Sequence, residues 1–400
     1  GGTMPDPRGG SAQPGRGFLG GGGSGGSGGG GALPGGGFPS GGFPGGAIPD
    51  IPTPPKKVDR FDLRPVTGPL PSFPETKFSD PSGTELITDF PGKADTLALG
   101  GAGRYLAMHF ADAGKLVVVD LCEAKIVADK EADKGKVKLA AGLSRLVVWA
   151  PAARLFRVYD LPNLEKLYDA KCELFHGPQF IAMGNRTNGP LLASDFTGEV
   201  VLHDISKNDA PVIEGSRGRP GIHSGSEFGV RATPDGKVFA TFDGFDKNHK
   251  AVLLSESGGK WSATKDTFAA YFPNAAGDLF FGNGGAMDAS GRSANISSVG
   301  FGSDQWFVPA TSGKFFLKIV SVPPSGGGKK TLTLTVHMNN RANIRYPGLQ
   351  PIQGIEAEGF LDGWSPAALD QHFILIPESK VLVFIPPSND RVHFKRIEIR

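Results

Sequence analysis

The chain has 400 residues, of which 42 are basic and 40 are acidic, for a formal net charge of +2. Residues of both charges are mixed along the sequence, which argues against a nucleic-acid partner and a polybasic membrane patch, because both need clustered basic residues. The longest apolar runs, such as Val381–Pro387, are far shorter than a membrane span. We therefore expect no nucleic-acid binding and no membrane span in this chain.

The N-terminal part is dominated by glycine and proline. Residues 1–50 hold 23 glycines and repeat the phrase Gly-Gly-Phe-Pro. Such a segment buries too little apolar surface to offset its backbone entropy, so we predict a disordered linker over residues 1–50. Seven prolines between residues 52 and 74 predict a second, extended linker over residues 51–82. The globular domain is then expected at residues 83–400.

From residue 103 onwards, a turn signal followed at once by a short β run recurs seven times. The turn signals are Gly103-Arg104, Ser144-Arg145, Asn188-Gly189, Asp235-Gly236, Gly277-Asp278, Ser312-Gly313 and Asp370-Gln371. From residue 103 to residue 370 there are six intervals over 267 residues, or about 44 residues each. This period is typical of a four-stranded propeller blade. The repeat predicts an all-β fold, a seven-bladed β-propeller with seven similar units.

A second β run recurs inside the units, and helical periodicity is nearly absent. Lys115–Asp120, Leu155–Asp160 and Glu199–Asp204 each end in an aspartate, which typically caps a turn through its own carboxylate. Strands so closely spaced leave no room for crossover helices, so four-stranded antiparallel blades are expected. Two ways of completing blade 7 remain open: all its strands come from the C-terminus, or Glu85–Phe90 supplies one and closes the ring.

Several stretches resemble bacterial WD40-like or YVTN-type β-propeller repeats. GKLVVVDLCEAKIV (114–127) and DGKVFATF (235–242) look like single repeat units. The linker, GGAGRYLAMHF (100–110) and the closing IPESKVLVFIPPSNDRVHFKRIEI (376–399) are together similar to C-terminal propeller regions of large planctomycete-type bacterial proteins. The resemblance covers the chain from about Glu85 and implies a fold rather than a function, since the Gly-His and Trp-Asp dipeptides of true WD40 repeats are missing.

In a propeller, the loops that join the second and third strands share one end with the connections between blades. Several of these loops are long, including Gly215–Phe228 and Tyr346–Pro366, and we expect this loop-rich face to bind a partner. The candidate binding residues are Arg217, Arg219, His223, Asp243, Asp246, His249, Tyr346 and Trp364. Their mixture suits an acidic or polar protein or peptide, with Tyr346 and Trp364 as aromatic anchors.

The sequence predicts no catalytic residues, no metal site and no cofactor. Gly101–Leu106 begins like a dinucleotide-binding loop, but it lacks the third glycine and the helix, so we interpret it as a turn. His109 and His203 lie on predicted strands, where a packed or surface histidine is more common than a metal ligand. The two cysteines, 50 residues apart, are either free thiols or a single disulfide.

These observations favour a non-catalytic, monomeric interaction propeller that binds a protein or peptide and is tethered behind a long linker. The alternative is a propeller hydrolase or lyase with its site at the central channel, because the side chains that meet there cannot be read from spacing. A structural surface or envelope protein is a third hypothesis, suggested by the Gly/Pro tract. We expect an upstream region that determines whether the protein is cytoplasmic or tethered at the envelope. The sequence leaves both locations possible.

Overall fold

The structure, a computed structural model, describes residues 69–220, 228–243, 251–257, 260–265, 270–282, 285–294, 305–322, 331–338, 352–356 and 368–398. The linker predicted over residues 1–50 lies outside these ranges, as do residues 51–68 of the second linker. Both remain predictions.

The described residues form short β-strands with two single helical turns. The strands of the first half are β1 (Thr84–Ile87), β2 (Thr96–Gly100), β3 (Tyr105–Phe110), β4 (Lys115–Asp120), β5 (Lys125–Glu131), β6 (Lys138–Ala141), β7 (Arg145–Ala150), β8 (Leu155–Asp160), β9 (Lys166–Lys171), β10 (Phe180–Met183), β11 (Leu191–Ser194) and β12 (Val200–His203). Those of the second half are β13 (Phe228–Ala232), β14 (Val238–Asp243), β15 (Ala251–Ser257), β16 (Lys260–Lys265), β17 (Ala270–Pro273), β18 (Leu279–Gly282), β19 (Ala286–Asp288), β20 (Ser293–Ala294), β21 (Gln305–Pro309), β22 (Phe315–Val322), β23 (Thr331–Met338), β24 (Ile352–Glu356), β25 (Phe373–Ile376), β26 (Val381–Phe384) and β27 (Val392–Arg396). A 3-10 turn covers Gly101–Gly103, and α1 covers Leu369–His372.

These strands form seven antiparallel sheets, which confirms the predicted seven-bladed propeller. Blades 1 to 6 follow the chain from β2 to β24, and the first strand of each blade packs against that of the next. Within the described residues six blades have four strands. In blade 3, β10 to β12 are followed by a segment that reaches the outer edge of β12 through isolated bridges at Val212 and Gly218.

The N-terminal segment closes the ring. Strand β1 pairs antiparallel with β27, with Glu85 opposite Phe394 and Ile87 opposite Val392. Blade 7 therefore consists of β25, β26 and β27 from the C-terminus and β1 as its outermost strand. Of the two possibilities left open by the sequence, the structure shows the one in which the first strand of the domain completes the last blade.

Residues 69–82, the last part of the predicted second linker, lie against the propeller. The Thr76 amide donates to the Ser379 carbonyl at 3.1 Å, and the Arg104 guanidinium donates to the Ser72 carbonyl at 2.8 Å. We call residues 69–82 the strap. The strap joins the turns of blades 7 and 1 on the N-terminal side of β1.

In most blades the middle strands are apolar on both faces, because each face packs against a neighbouring blade; β23 of blade 6 is an exception, since threonines alternate with buried apolar residues there. On β4, Leu116 and Val118 lie in the cluster shared with blade 2, whereas Val117 and Val119 lie in the cluster shared with blade 7. This explains why the second and third strands read as continuous apolar runs rather than as alternating patterns. His109 and His203 are fully buried in this packing, which is one of the two cases that the sequence left open.

One of the seven predicted turn signals was assigned to the wrong strand. The first six lie between the first and second strands of blades 1 to 6. Asp370-Gln371 instead lies in α1, which leads into β25, the first strand of blade 7. The β run after this signal is the first strand of blade 7, and β26 and β27 are its second and third, because the fourth strand of this blade is β1 from the N-terminal part.

Candidate interaction surface and central channel

The structure describes only part of the predicted binding set. Arg217 and Arg219 lie on the loop-rich face, beside the start of β12. Asp243 ends β14 on the same face, and its side chain lies outside the described residues. The other predicted binding residues also lie outside the described ranges: His223, Asp246, His249, Tyr346 and Trp364.

Arg217 and Arg219 share one carboxylate. Arg217 Nη1 lies 3.1 Å from Glu199 Oε1, and Arg219 Nη2 lies 3.5 Å from Glu199 Oε2. Arg217 Nη2 also donates to the Glu173 carbonyl at 3.2 Å. The two arginine side chains are 50% and 69% exposed. Ion pairs of this exposure contribute little to stability, so both guanidinium groups can exchange these partners for another carboxylate.

An exposed aromatic cluster lies on the same face and was not predicted from the sequence. Phe175 is 81% exposed and Phe196 is 51% exposed. The His176 ring lies between them, with its centroid 4.8 Å from that of Phe175 and 4.6 Å from that of Phe196. We call Phe175, His176 and Phe196 the aromatic surface. Their exposed rings offer a partner a large apolar contact area.

The backbone beneath Phe175 is held by blade 2. Arg154, in the loop between β7 and β8, donates from Nη2 to the Phe175 carbonyl at 2.6 Å. Leu174 is buried, and Gly177 has a φ of +72° and lies against the Trp149 ring, where a Cβ would come within 2.8 Å of Cζ2. The connection between blades 2 and 3 is therefore anchored on both sides of its exposed rings.

A tight turn holds Phe196 at its tip. The Asp195 carboxylate accepts hydrogen bonds from the Thr197 amide at 2.9 Å, the Thr197 hydroxyl at 2.7 Å and the Glu199 amide at 3.1 Å. Asp195 itself is 4% exposed, so the turn is fixed from within the fold. These hydrogen bonds hold the turn between β11 and β12 and thereby place the Phe196 ring at its exposed tip.

The aromatic surface lies on short loops of blades 2 and 3. The sequence analysis instead predicted the binding residues on the long loops of blades 3 to 7. The signal that would have revealed it is a large apolar residue at a turn position, as in Asp195-Phe196-Thr197-Gly198. Turn tips normally carry polar residues. Only the fold shows that Phe175 and Phe196, 21 positions apart, share one face.

Along the axis, the first strands of the blades enclose a cavity of about 150 Å³. Residues of all seven first strands line it: Leu97, Leu139, Ile181, Val230, Phe272, Pro309 and Phe373. Arg231 on β13 and Asp370 on α1 meet across it, with Arg231 Nε 2.6 Å from Asp370 Oδ2 and Nη2 2.9 Å from Oδ1. Gln371 Nε2 donates to the Leu97 carbonyl on the edge of β2 at 3.1 Å.

First-to-second-strand turns line the opposite end of the cavity, through residues such as Asn185, Pro234 and Thr311. The Gly101–Gly103 turn reaches inward, where the Ala102 amide donates to the Asn185 carbonyl at 2.8 Å. Gly103 has a φ of +101°, and a Cβ there would come within 2.4 Å of Thr311 Cβ. The segment that resembled a dinucleotide loop is thus a turn whose glycine allows close contact between blades 1 and 6.

The described residues contain neither a metal-ligand cluster nor a helix that spans a membrane. No group of three or more His, Cys, Asp or Glu side chains there could hold a metal ion. Neither of the two helical turns in the described ranges is long enough to cross a bilayer. Cys122 and Cys172 are free thiols, and burial raises the pKa of each to about 11.

Comparison with known proteins gives structural neighbours of low sequence identity. No protein-family model and no curated protein matches the chain. Hydrazine synthase of Kuenenia stuttgartiensis is 12% identical with a TM-score of 0.50, over 78% of this chain and 97% of that chain. The RRP9 WD40 repeats are 8% identical with a TM-score of 0.49, over 82% of this chain and 99% of that chain. The Myceliophteria thermophila Cps50 (Swd1) β-propeller domain is 10% identical with a TM-score of 0.47, over 78% and 99%. At such identities the likeness shows the β-propeller fold alone.

Proposed function

We propose that this propeller is a non-catalytic interaction module that binds a protein or peptide through the aromatic surface on its loop-rich face. The observation that carries the proposal is the pair of exposed rings, Phe175 and Phe196, fixed on either side of His176. Covering a phenylalanine side chain contributes about 1.5–3 kcal/mol. Aromatic residues beside arginines are also the residues that most often dominate binding energy at interfaces.

The charges around the aromatic surface indicate the chemistry of the partner. Arg154, Arg217 and Arg219 are exposed there, and Glu173 and Glu199 provide two opposing charges. A partner segment with an apolar or aromatic residue next to a carboxylate would cover the rings and bind a guanidinium group bidentately. The sequence suggested an acidic or polar protein or peptide, a wider class that includes such a segment.

The proposal also includes the oligomeric state, the partner class and the kind of protein to which this propeller belongs. We expect a monomeric propeller without a nucleic-acid partner, in a bacterial protein of the YVTN-type, planctomycete-like class. The rival hypothesis places a hydrolase or lyase site at the central channel. Among the described cavity-lining residues, Arg231 and Asp370 are the titratable ones, and each holds the other's charge. That pairing supports a structural role for Arg231 and Asp370 in the channel. It leaves neither residue free to act as a catalytic acid or base.

Selection from a displayed random-peptide library tests the proposal. The wild-type chain, Phe175→Ser/Phe196→Ser and the control Leu167→Ser are compared, since Leu167 on β9 is an apolar residue of similar exposure at 47%. We expect wild-type and control to select peptides with an aromatic residue beside an acidic one. The double variant should bind the same peptides at least tenfold more weakly, with its unfolding free energy within about 0.5 kcal/mol of wild type. Equal binding by all three chains would refute the assignment.

A further inference from the structure

The connection between blades 1 and 2 brings three lysines to the loop-rich face. Lys134, Lys136 and Lys138 lie within five residues, and Lys138 begins β6, the first strand of blade 2. Within the described ranges, none of their ammonium groups pairs with a carboxylate. Asp133, the acidic residue of this connection, is bound by Arg157 of blade 2 at 2.7 Å. The three lysine charges therefore have no counter-charge within their own connection.

The backbone of this connection is fixed by blade 1. His109 Nε2–H donates to the Asp133 carbonyl at 2.9 Å, and the Thr96 hydroxyl donates to the Val137 carbonyl at 3.1 Å. These two hydrogen bonds hold the chain on either side of the first two lysines. The three charges therefore project from a held segment of backbone on the loop-rich face.

Lys138 lies over an aromatic ring of blade 3. Its Nζ is 5.7 Å from the ring centroid of Phe180, which begins β10. The next residues along the chain, Leu139 and Ile181, line the central cavity, so this pair lies at the loop-rich mouth of the channel. Lys138 is exposed, but the surrounding protein partly desolvates its ammonium group, and this desolvation, with the charge of Lys136, lowers its pKa. A carboxylate beside this ammonium group would offset that unfavourable environment.

The connection between blades 2 and 3 links this pair to the aromatic surface. Phe175 and His176 lie between β9 and β10, and Phe180 follows five residues after Phe175. Five residues span at most about 17 Å, because an extended chain rises about 3.3 Å per residue. An extended peptide with its aromatic residue on Phe175 and Phe196 would therefore reach Lys138 about three to five residues further along.

We propose that Lys136 and Lys138 form a second subsite for the partner of the aromatic surface and bind a second acidic side chain of the same segment. This inference rests on the function proposed above and narrows the partner to a segment with two acidic positions. The first lies next to the aromatic residue, and the second lies about three to five residues away, towards the channel. Asp112, exposed on the adjoining turn between β3 and β4, offsets only part of the lysine charge.

Peptide selection with altered chains tests this subsite. Lys136→Gln/Lys138→Gln is compared with wild type and with Lys130→Gln/Lys395→Gln, which removes two exposed lysines from β5 and β27. We expect wild type and control to select a second acidic residue about three to five positions from the aromatic one. The Lys136→Gln/Lys138→Gln chain should keep the aromatic preference and lose the second acidic one. The same second acidic residue in all three selections, or none in the wild-type selection, would overturn the proposal.

A change in the peptide gives a measurement that does not depend on the folding of a variant. The peptide selected by wild type is synthesised with its second acidic residue replaced by the corresponding amide, and fluorescence anisotropy measures both affinities. We expect the amide peptide to bind wild type about fivefold more weakly. Both peptides should bind Lys136→Gln/Lys138→Gln equally. Equal affinity of the two peptides for wild type would refute the second subsite.

The same peptides separate this inference from the function on which it rests. Phe175→Ser/Phe196→Ser should weaken the binding of both peptides, whether or not the lysines contribute. That result, together with equal binding of the two peptides by wild type, would leave the aromatic surface as the binding site and remove the lysine subsite. If wild type selected no aromatic peptide, both proposals would be wrong.

Discussion

Arg231 and Asp370 join two blades that lie three positions apart in the ring of seven. Arg231 lies on the first strand of blade 4, Asp370 lies on the turn that enters blade 7, and two charge-assisted hydrogen bonds of 2.6 Å and 2.9 Å connect them. The side chains are 20% and 22% exposed. Neighbouring blades hold each other through apolar faces, whereas this pair connects distant blades directly across the channel.

Loss of this pair is expected to destabilise the ring. Arg231→Gln leaves the Asp370 carboxylate partly buried without its counter-ion, and we expect the unfolding free energy to fall by about 2 kcal/mol. Urea denaturation followed by tryptophan fluorescence measures the change. Arg292→Gln, which removes an exposed ion pair with Asp288, is the control and should cost less than about 0.5 kcal/mol. If the free energy of unfolding fell equally in the two variants, the Arg231–Asp370 pair would contribute no more to stability than an exposed ion pair.

Stability is also expected to fall in mild acid because of His372. This side chain is 1% exposed, its Nδ1–H donates to the Ile385 carbonyl at 2.6 Å, and burial lowers its pKa to about 4. In the unfolded chain the pKa of histidine is about 6.5, so the unfolded state takes up a proton first as the pH falls. The contribution of His372 is therefore fully present above pH 6.5 and is lost as the pH falls towards 4.

Because of this difference in pKa, we expect the free energy of unfolding to be about 2 kcal/mol lower at pH 5 than at pH 7. His372→Asn, which retains a donor for the Ile385 carbonyl, should remove that part of the pH dependence. His176→Asn, at an exposed position, should leave it unchanged. Urea denaturation at the two pH values provides the measurement, and an equal pH dependence in wild type and His372→Asn would exclude His372 as its source.

N-terminal truncation tests how the ring is closed. A chain that starts at residue 69 keeps the strap and β1, and we expect its unfolding temperature to equal that of the full chain. A start at residue 83 removes the strap, including Phe73 and Phe78, which pack against the cluster shared by blades 7 and 1. We expect that chain to be less stable by roughly 2–4 kcal/mol, from the loss of two phenylalanine contacts.

A start at residue 88 also removes β1 and leaves β27 as an open edge. We expect that chain to aggregate, because an unpaired edge strand readily pairs with another chain. Size-exclusion chromatography and thermal denaturation of the three chains provide the measurements. If the chain starting at residue 88 stayed monomeric and as stable as the longest one, closure by β1 would not stabilise the ring.

The repeat unit could be predicted from sequence because each blade carries its own turn chemistry. Asp235-Gly236 and Gly277-Asp278 mark first-to-second-strand turns, with Gly236 at a φ of +71° and Gly277 at +76°. Which strand of blade 7 each C-terminal β run forms could not be recognised, because the fourth strand is fixed by the pairing of β1 with β27, which joins residues about 300 positions apart. No local pattern encodes such a contact.

The side chains exposed on the loop-rich face were predictable only in part. Arg217 and Arg219 were assigned to the correct face, because the strand order of a meander determines which loops lie at each end. Phe175 and Phe196 were missed, because exposure of an apolar ring depends on the surrounding loops and not on its own sequence. The meeting of Arg231 with Asp370 was likewise invisible, since the two residues lie 139 positions apart.

Photo-crosslinking from the aromatic surface tests most directly whether this face binds protein. A chain with p-benzoylphenylalanine in place of Phe196 is compared, in an extract of the source cells, with one carrying it in place of Leu167. We expect a discrete adduct from position 196 that a library-selected peptide suppresses, and no such adduct from position 167. The same adducts from both positions, or adducts that the peptide does not suppress, would contradict binding through Phe175, His176 and Phe196.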